Sequence, residues 1–341
     1  GVVGPDKGKG GKYLVIPPGY KGEIPEGYFI LKPPTHRNFI FLRGSIKDGL
    51  TVAADNFKQN LKVYPLKDKA SPAPTELVNM SGRSFQTIFP NTLAYYEMLN
   101  SIVQGEPQDA IDAEIRGELA AIGIVNGKPF NPDARMTKLL TEAATLGNAA
   151  GRAITYAPRV PGVEIYPGSG MNWDMGYANK NTSFEADGIM DLDARTFFYF
   201  NAGGVTPAMA GTHAGAGSDY AIGTLDNNDK PFDGSKTYKL HLPPNVPVND
   251  FWAVTLYDTQ TRCQLQTGQL FPTVGSQTKE FKKNKDGSYD LYFGPKAPNG
   301  QESNWLQTVE GKSWFSILRM YGPLEPWINK TWKPGEIELV K

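Results

Sequence analysis

The segment Phe251-Trp252-Ala253-Val254-Thr255-Leu256-Tyr257 is built almost entirely from β-formers, and Thr237-Tyr238-Lys239-Leu240-His241-Leu242 ahead of it alternates in side-chain character. Alternation with period two is the signature of a strand. Asp290-Leu291-Tyr292-Phe293 and Trp314-Phe315-Ser316-Ile317-Leu318-Arg319-Met320-Tyr321 follow, with Asp233-Gly234, Asn284-Lys285-Asp286-Gly287 and prolines as the breaks between runs. Short β-rich runs with regular turn signals specify a sandwich or barrel. Residues 218–341 therefore read as one all-β domain.

Moving outward, residues 1–66 form another β region. Lys12–Ile16, Gly27–Leu31, Asn38–Arg43 and Leu61–Tyr64 are strand-like, and four short strands make only part of a sandwich. Residues 67–217 differ in character. Asn91 after Pro90 is an N-cap type residue ahead of helical spacing. Ile111, Ile115, Leu119 and Ile122 form one apolar stripe. Asn131-Pro132 has the form of a cap followed by proline at the first helical position, predicting a helix toward Ala153. Asp191–Phe200 is a helix starting near an Asp cap or a buried strand, and its acidic start and Ala-Arg pair favour the helix. Two Gly-rich stretches, Pro167–Tyr177 and Ala210–Gly217, connect these elements. Pro-Pro pairs at 17/18, 33/34 and 243/244 stop strands and stiffen connections.

Lys+Arg and Asp+Glu both total 35, so no global field favours nucleic acid or an anionic membrane. No stretch approaches the roughly 20 apolar residues of a membrane span. Cys263 is the sole cysteine, which rules out an internal disulfide and a multi-cysteine metal site. The chain opens Gly1-Val2-Val3-Gly4-Pro5 without Met, as a processed or truncated product would.

Catalytic signatures are lacking. There is no Gly-x-Ser-x-Gly elbow, His-Glu-x-x-His or Walker loop. Gly215-Ala216-Gly217 begins the dinucleotide-binding spacing, but position 220 is Tyr. A three-histidine metal site would need His36, His213 and His241 to converge, and none is expected. Asp226–Gly234 is rich in oxygen donors but departs from the calcium-loop pattern, so it reads as a turn. His213 lies in a Gly-rich loop where backbone amides can approach a ligand. Its plain reading is a hydrogen-bonded loop histidine; ligand contact or acid–base work is the alternative. Trp173 and Tyr177 are core aromatics or a stacking platform for a flat ligand. Asp174 beside Trp173 is a candidate carboxylate, whereas Asp191 and Asp193 are more simply cap and first-turn acids.

The ordered series Asp233-Gly234 with Tyr238, Phe251-Trp252 with Thr255–Asp258, Asn284–Ser288, Asn304–Leu306, Arg319–Pro323 and Trp332–Pro334 resembles a large, mostly bacterial family known as a domain of unknown function, numbered 1214. Residues from 1 to about 66 resemble the later part of its partner family, numbered 1254. The resemblance implies an α+β architecture of two antiparallel, jelly-roll-like β-sandwich domains with an array of short helices between them. It implies no reaction or cofactor. Relatives usually carry more sequence ahead of Gly1, often with an export signal, which implies a periplasmic or secreted protein and association with a missing N-terminal segment.

Three functions fit this sequence: a cell-envelope protein binding a small molecule or carbohydrate between its domains, a hydrolase acting on a glycoside or ester, and a structural sandwich forming a homo-oligomer. Whether the chain is an enzyme is open between them. Because pockets form where domains meet, Trp173, Asp174, Tyr177, Arg195 and His213 are the expected ligand-binding residues.

Overall fold

A computed structural model describes residues 5–340 except 41, 43, 45–47, 81, 85 and 206. The chain divides into two compact units. The first comprises Val3–Gln86 and Pro90–Glu142; the second comprises Ala143–Lys341 with Thr87–Phe89.

In the first unit, β1 (Tyr13–Val15) and β2 (Phe29–Leu31) form a parallel pair. They are the first two strands expected before residue 66. Leu61–Tyr64 has no regular structure, and Asn38–Arg43 lies partly outside the described residues, its described part holding no strand. Between them runs a helix the periodicity did not signal, α1 (Leu50–Asn60), entered through Gly49 at φ 103°, a conformation that favours glycine. Helices α2 (Ala94–Gly105), α3 (Ala113–Ala121) and α4 (Ala134–Tyr156) follow. Val103, Leu119 and Ile124 form the small core here, with Ile111 and Ile122 packed on it from beyond the ends of α3. The cap of α4 sits two residues later than expected. Asp133 Oδ1 accepts from the Met136 amide at 2.7 Å, and Pro132 precedes the helix. Glu106 binds the bend at 34–37, its carboxylate accepting from the His36 and Arg37 amides at 2.6 and 3.1 Å.

The second unit continues with β3 (Glu185–Ala186), β4 (Ile189–Met190), α5 (Leu192–Asn201) and α6 (Pro207–Ala210). Asp191 caps α5, accepting from the Ala194 amide at 2.8 Å, so the acidic start did mark a helix. Then come β5 (Ser218–Gly223), β6 (Phe232–Asp233), β7 (Tyr238–Leu242), β8 (Val248–Asp258), β9 (Thr273–Gly275), β10 (Tyr289–Gly294), β11 (Trp305–Gln307), β12 (Ser313–Pro323), α7 (Glu325–Ile328) and β13 (Ile337–Leu339). One sheet has the order β11-β10-β7-β13; the other runs β5-β12-β8-β9, with β6 also on β12.

Residues from both sheets meet in one core. Leu240, Leu242, Leu291 and Phe293 come from the first, and Trp252, Val254, Leu256, Leu318 and Met320 from the second. The fold is thus mixed α+β. The expectation of antiparallel sheets needs correction, because β10–β11 and β1–β2 pair in parallel. The 295–304 connection returns the chain to the same end of β10 before β11 begins. The start of Asp226–Gly234 is a turn, held by Asp226 Oδ1 accepting from the Asn228 and Lys230 amides at 2.8 and 3.0 Å, and it leads into β6.

The segment Trp173-Asp174-Met175 lies along the β5 edge. Asp174 and Ile222 exchange backbone hydrogen bonds of 2.9 and 2.8 Å, and Glu164 bridges Asp174 on its other side. Trp173 is 1% exposed within the core, and its indole donates to the Gly335 carbonyl at 3.0 Å. The Asp174 side chain is buried, and among the described residues no cation pairs with it. Burial first, then Glu164 and Glu336, push its pKa up to about 7. Burial raises Glu336 too; its Oε2 accepts from the Asn172 amide while Oε1 is buried without a partner.

Two predictions follow from these placements. The folded state holds the Asp174 proton between about pH 4 and 7 while the unfolded chain has lost it, so stability falls as pH rises through that window. Asp174→Asn is therefore expected to raise unfolding free energy at pH 8 by about 2–4 kcal/mol and change it little at pH 4. Urea melts of both proteins at both pH values check this; equal differences at the two would refute it. At Gly234, a Cβ would collide with the Val309 carbonyl oxygen and lie 2.8 Å from that of Lys312. Both are backbone atoms that cannot step aside, so Gly234→Ala is expected to cost about 3 kcal/mol in the same assay.

Candidate functional site

The strand β12 shows why a site forms in the second unit. Trp314, Ser316, Leu318 and Met320 face the core, and all are buried. The alternate set, Phe315, Ile317, Arg319 and Tyr321, lies on the opposite face of the same sheet. Beside it, β8 and β5 place Tyr257, Tyr220 and Ile222 on that face, since Arg319 pairs with Tyr220 and Phe315 with Tyr257 in register. This second face is largely apolar and is covered by α5 and the segments around it.

The apolar stripe of α5 consists of Ala194, Phe197 and Phe198, spaced i, i+3 and i+4, and all are buried. Tyr177 stacks on Phe198 with ring centres 4.5 Å apart and on Phe184 at 6.4 Å. Its hydroxyl donates to Met209 Sδ at 3.6 Å, and burial pushes its pKa up to about 12. Between this layer and the sheet lies a cavity of about 310 Å³. Phe197, Phe198, Tyr177, Tyr257, Phe315 and Ile317 form much of its apolar wall.

Four charged side chains reach the same cavity: Lys180, Arg262, Arg319 and Asp219. Asp219 Oδ2 accepts from the Trp327 indole at 2.9 Å and from Thr212 Oγ1 at 3.2 Å, with Lys180 Nζ 4.0 Å away. Lys180 also donates to Thr212 Oγ1 at 2.7 Å. Arg262 donates to the carbonyls of Gln260 and Thr87 and lies over the Phe89 and Phe200 rings, 4.4 and 5.2 Å from their centres. Arg319 sits between the Tyr220 and Tyr257 rings, 5.6 and 5.8 Å from their centres, and donates to the hydroxyls of Tyr257 and Tyr321. Its Nε is buried without a partner among the described residues. Burial outweighs the pull of Arg319 and raises the Tyr257 pKa, so this hydroxyl is neutral.

Of the residues expected to bind a ligand, only Tyr177 lines this cavity. Trp173 is enclosed in the two-sheet core. Asp174 occupies the bridge beside β5. Arg195 is half-buried on α5 outside the cavity lining. His213 is exposed in a loop whose backbone bridges to Ala216. Among the described residues, no group of three or more His, Cys, Asp or Glu is arranged to hold a metal. No helix among them is long and apolar enough to cross a membrane.

Arg319, Tyr257 and Phe315 were missed although their strands were recognised. The available signal was that Trp314–Tyr321 is apolar at both parities, as a strand covered on both faces must be. Lys180 and Arg262 carried no comparable signal. Lys180 ends a short 3-10 turn and Arg262 lies in a loop, and each is a single cation brought to the cavity by the fold.

No protein of curated function matches the chain. It is similar to the VPA0106 protein from Vibrio parahaemolyticus at 17% identity, covering 98% of this chain and 76% of that one with a TM-score of 0.47. It is also similar to an uncharacterized protein from Burkholderia cenocepacia at 12% identity, covering 72% and 50% of the two chains with a TM-score of 0.30. Residues 1–65 match the family DUF1254 and residues 217–325 the family DUF1214, each described as a protein of unknown function, in the two segments where the sequence resembled them.

Proposed function

We propose that this chain is a small-molecule-binding protein of the cell envelope and that its ligand occupies the cavity between α5 and the β5-β12-β8 face. The observation that carries this reading is the cavity itself. A volume of about 310 Å³ lies at the lower end of the range for small-ligand sites, and its wall is mostly apolar with a few convergent polar groups. Aromatic rings and methionine side chains suit an apolar or aromatic body better than a sugar, whose hydroxyls need many hydrogen-bond partners. A wall of this chemistry is fitted to holding a molecule. The envelope location rests on the resemblance to families whose members often carry an export signal. The same resemblance supports reading the two packed sheets as one sandwich of jelly-roll type.

Ile317 is half-buried on the cavity wall, and tryptophan there keeps the strand preference while filling the space. N-phenyl-1-naphthylamine, a neutral aromatic probe whose fluorescence rises in apolar surroundings, is expected to bind the wild-type protein. Ile317→Trp is expected to weaken that binding at least tenfold while the circular dichroism melting curve moves by no more than a few degrees. Unchanged probe affinity in a folded Ile317→Trp protein would remove the cavity from consideration.

A further inference from the structure

Resting on the cavity reading above, we infer that the ligand carries an anionic group, a carboxylate or an equivalent oxyanion on its apolar body, and that Arg319 is the residue that receives it.

The argument is one of unbalanced charge. Three cations and one carboxylate reach the cavity. Asp219 is already committed, with Trp327 and Thr212 as donors and Lys180 as its nearest cation. That leaves Arg262 and Arg319. Among the described residues, neither has a carboxylate within ion-pair distance, whereas Asp258 and Asp290 elsewhere in the unit have Lys312 and Lys239 at 2.6 and 3.1 Å.

Arg262 is turned toward the protein, with two backbone carbonyls as acceptors and two phenylalanine rings beneath its guanidinium. Arg319 differs. Its hydrogen-bonded partners are the hydroxyls of Tyr257 and Tyr321, its flanking groups are tyrosine rings, and Nε is buried with nothing to donate to. A guanidinium cannot shed its charge in a protein. It offers a planar fork of donors that matches a carboxylate. Flanking rings fix the plane of that fork, and the apolar wall ahead of it strengthens any charge pairing. An anion entering here would give Arg319 the counter-ion that the chain does not provide. Tyr220 and Tyr257 would bracket the head group, while Phe197, Phe198 and Phe315 would surround the apolar body.

A matched pair of competitors separates the two claims. Both 2-naphthoate and 2-naphthamide have one size and one ring system, and only the first is an anion at pH 7.5. Each is titrated against the bound N-phenyl-1-naphthylamine on the wild-type protein. We expect naphthoate to displace the probe at a concentration at least tenfold below that of naphthamide, and this ratio to shrink as salt rises. Arg319→Met is expected to bring the ratio to about one by weakening naphthoate alone, and Arg319→Lys to restore part of it. Naphthamide and the neutral probe, titrated on both variants, report whether the cavity is intact. If the two competitors displace the probe equally on the wild-type protein, the anionic head is refuted while the cavity stands. The same holds if Arg319→Met leaves naphthoate favoured. If the probe is not held at all, or Ile317→Trp leaves its binding unchanged, the cavity reading falls and this inference falls with it.

Discussion

The second unit is organised by the need to bury both faces of β12. One side of this strand, Trp314 to Met320, closes the core between the two sheets. The other, Phe315 to Tyr321, would expose a stripe of apolar surface if nothing covered it. A helix and irregular chain lie over that face, and a rounded helix does not mate with a twisted sheet along its whole length. Phe197 and Phe198 of the helix and Tyr257, Phe315 and Ile317 of the sheet line the cavity left between the two layers. The site is thus a consequence of layering. The core-facing side of β12 fixes the strand's position, and the opposite side then fixes what the cover must do.

Charge is handled in two ways at three buried or half-buried acids. Asp258 is paired with Lys312 and accepts from the Gln260 and Thr261 amides; burial alone would raise its pKa, and these bonds bring it below the usual range. Asp290 follows the same logic, with burial opposed by His241 at 2.8 Å and Lys239 at 3.1 Å across adjacent strands. Asp174 has acids for neighbours and responds by keeping its proton. An acid has that escape; an arginine does not. Want of an opposite charge therefore means different things at Asp174 and Arg319: protonation removes the charge of the first, while the second keeps its charge and is met by the hydroxyls of Tyr257 and Tyr321.

The strands of the second unit were legible because each has a clear period. Tyr238, Leu240 and Leu242 are buried, while Lys239 and His241 pair with Asp290, just as the alternation of 237–242 indicates. Asp191 marked its helix through its short polar side chain, and Asp133 capped one from a position where Asn131 and Asp133 are chemically equivalent candidates. The parallel pairing of β10 with β11 was not legible, because no local pattern records which way a neighbouring strand runs. Residues before 66 misled for a related reason. Short apolar runs between prolines have strand composition whether or not a partner strand lies beside them, and among the described residues only the first two acquire one, each other.

Trp173, Asp174 and His213 lie away from the cavity lining, and the reason lies in how glycine-rich sequence is used. Such loops allow close backbone approach to a ligand, but they equally allow close approach to the chain's own backbone. Here the second holds. Gly215 donates to the Pro323 carbonyl at 2.7 Å and Gly322 to that of Gly217 at 2.8 Å, which ties the 211–217 loop to the end of β12. Likewise, 173–175 is drawn into backbone pairing with β5 and with 163–165. The conformational freedom visible in the sequence is thus consumed in anchoring the cover to the sheet. Tyr177, just past that pairing, is released into the layer above the cavity. The backbone of these loops holds in place the layer that shapes the cavity, and their Tyr177 lines it.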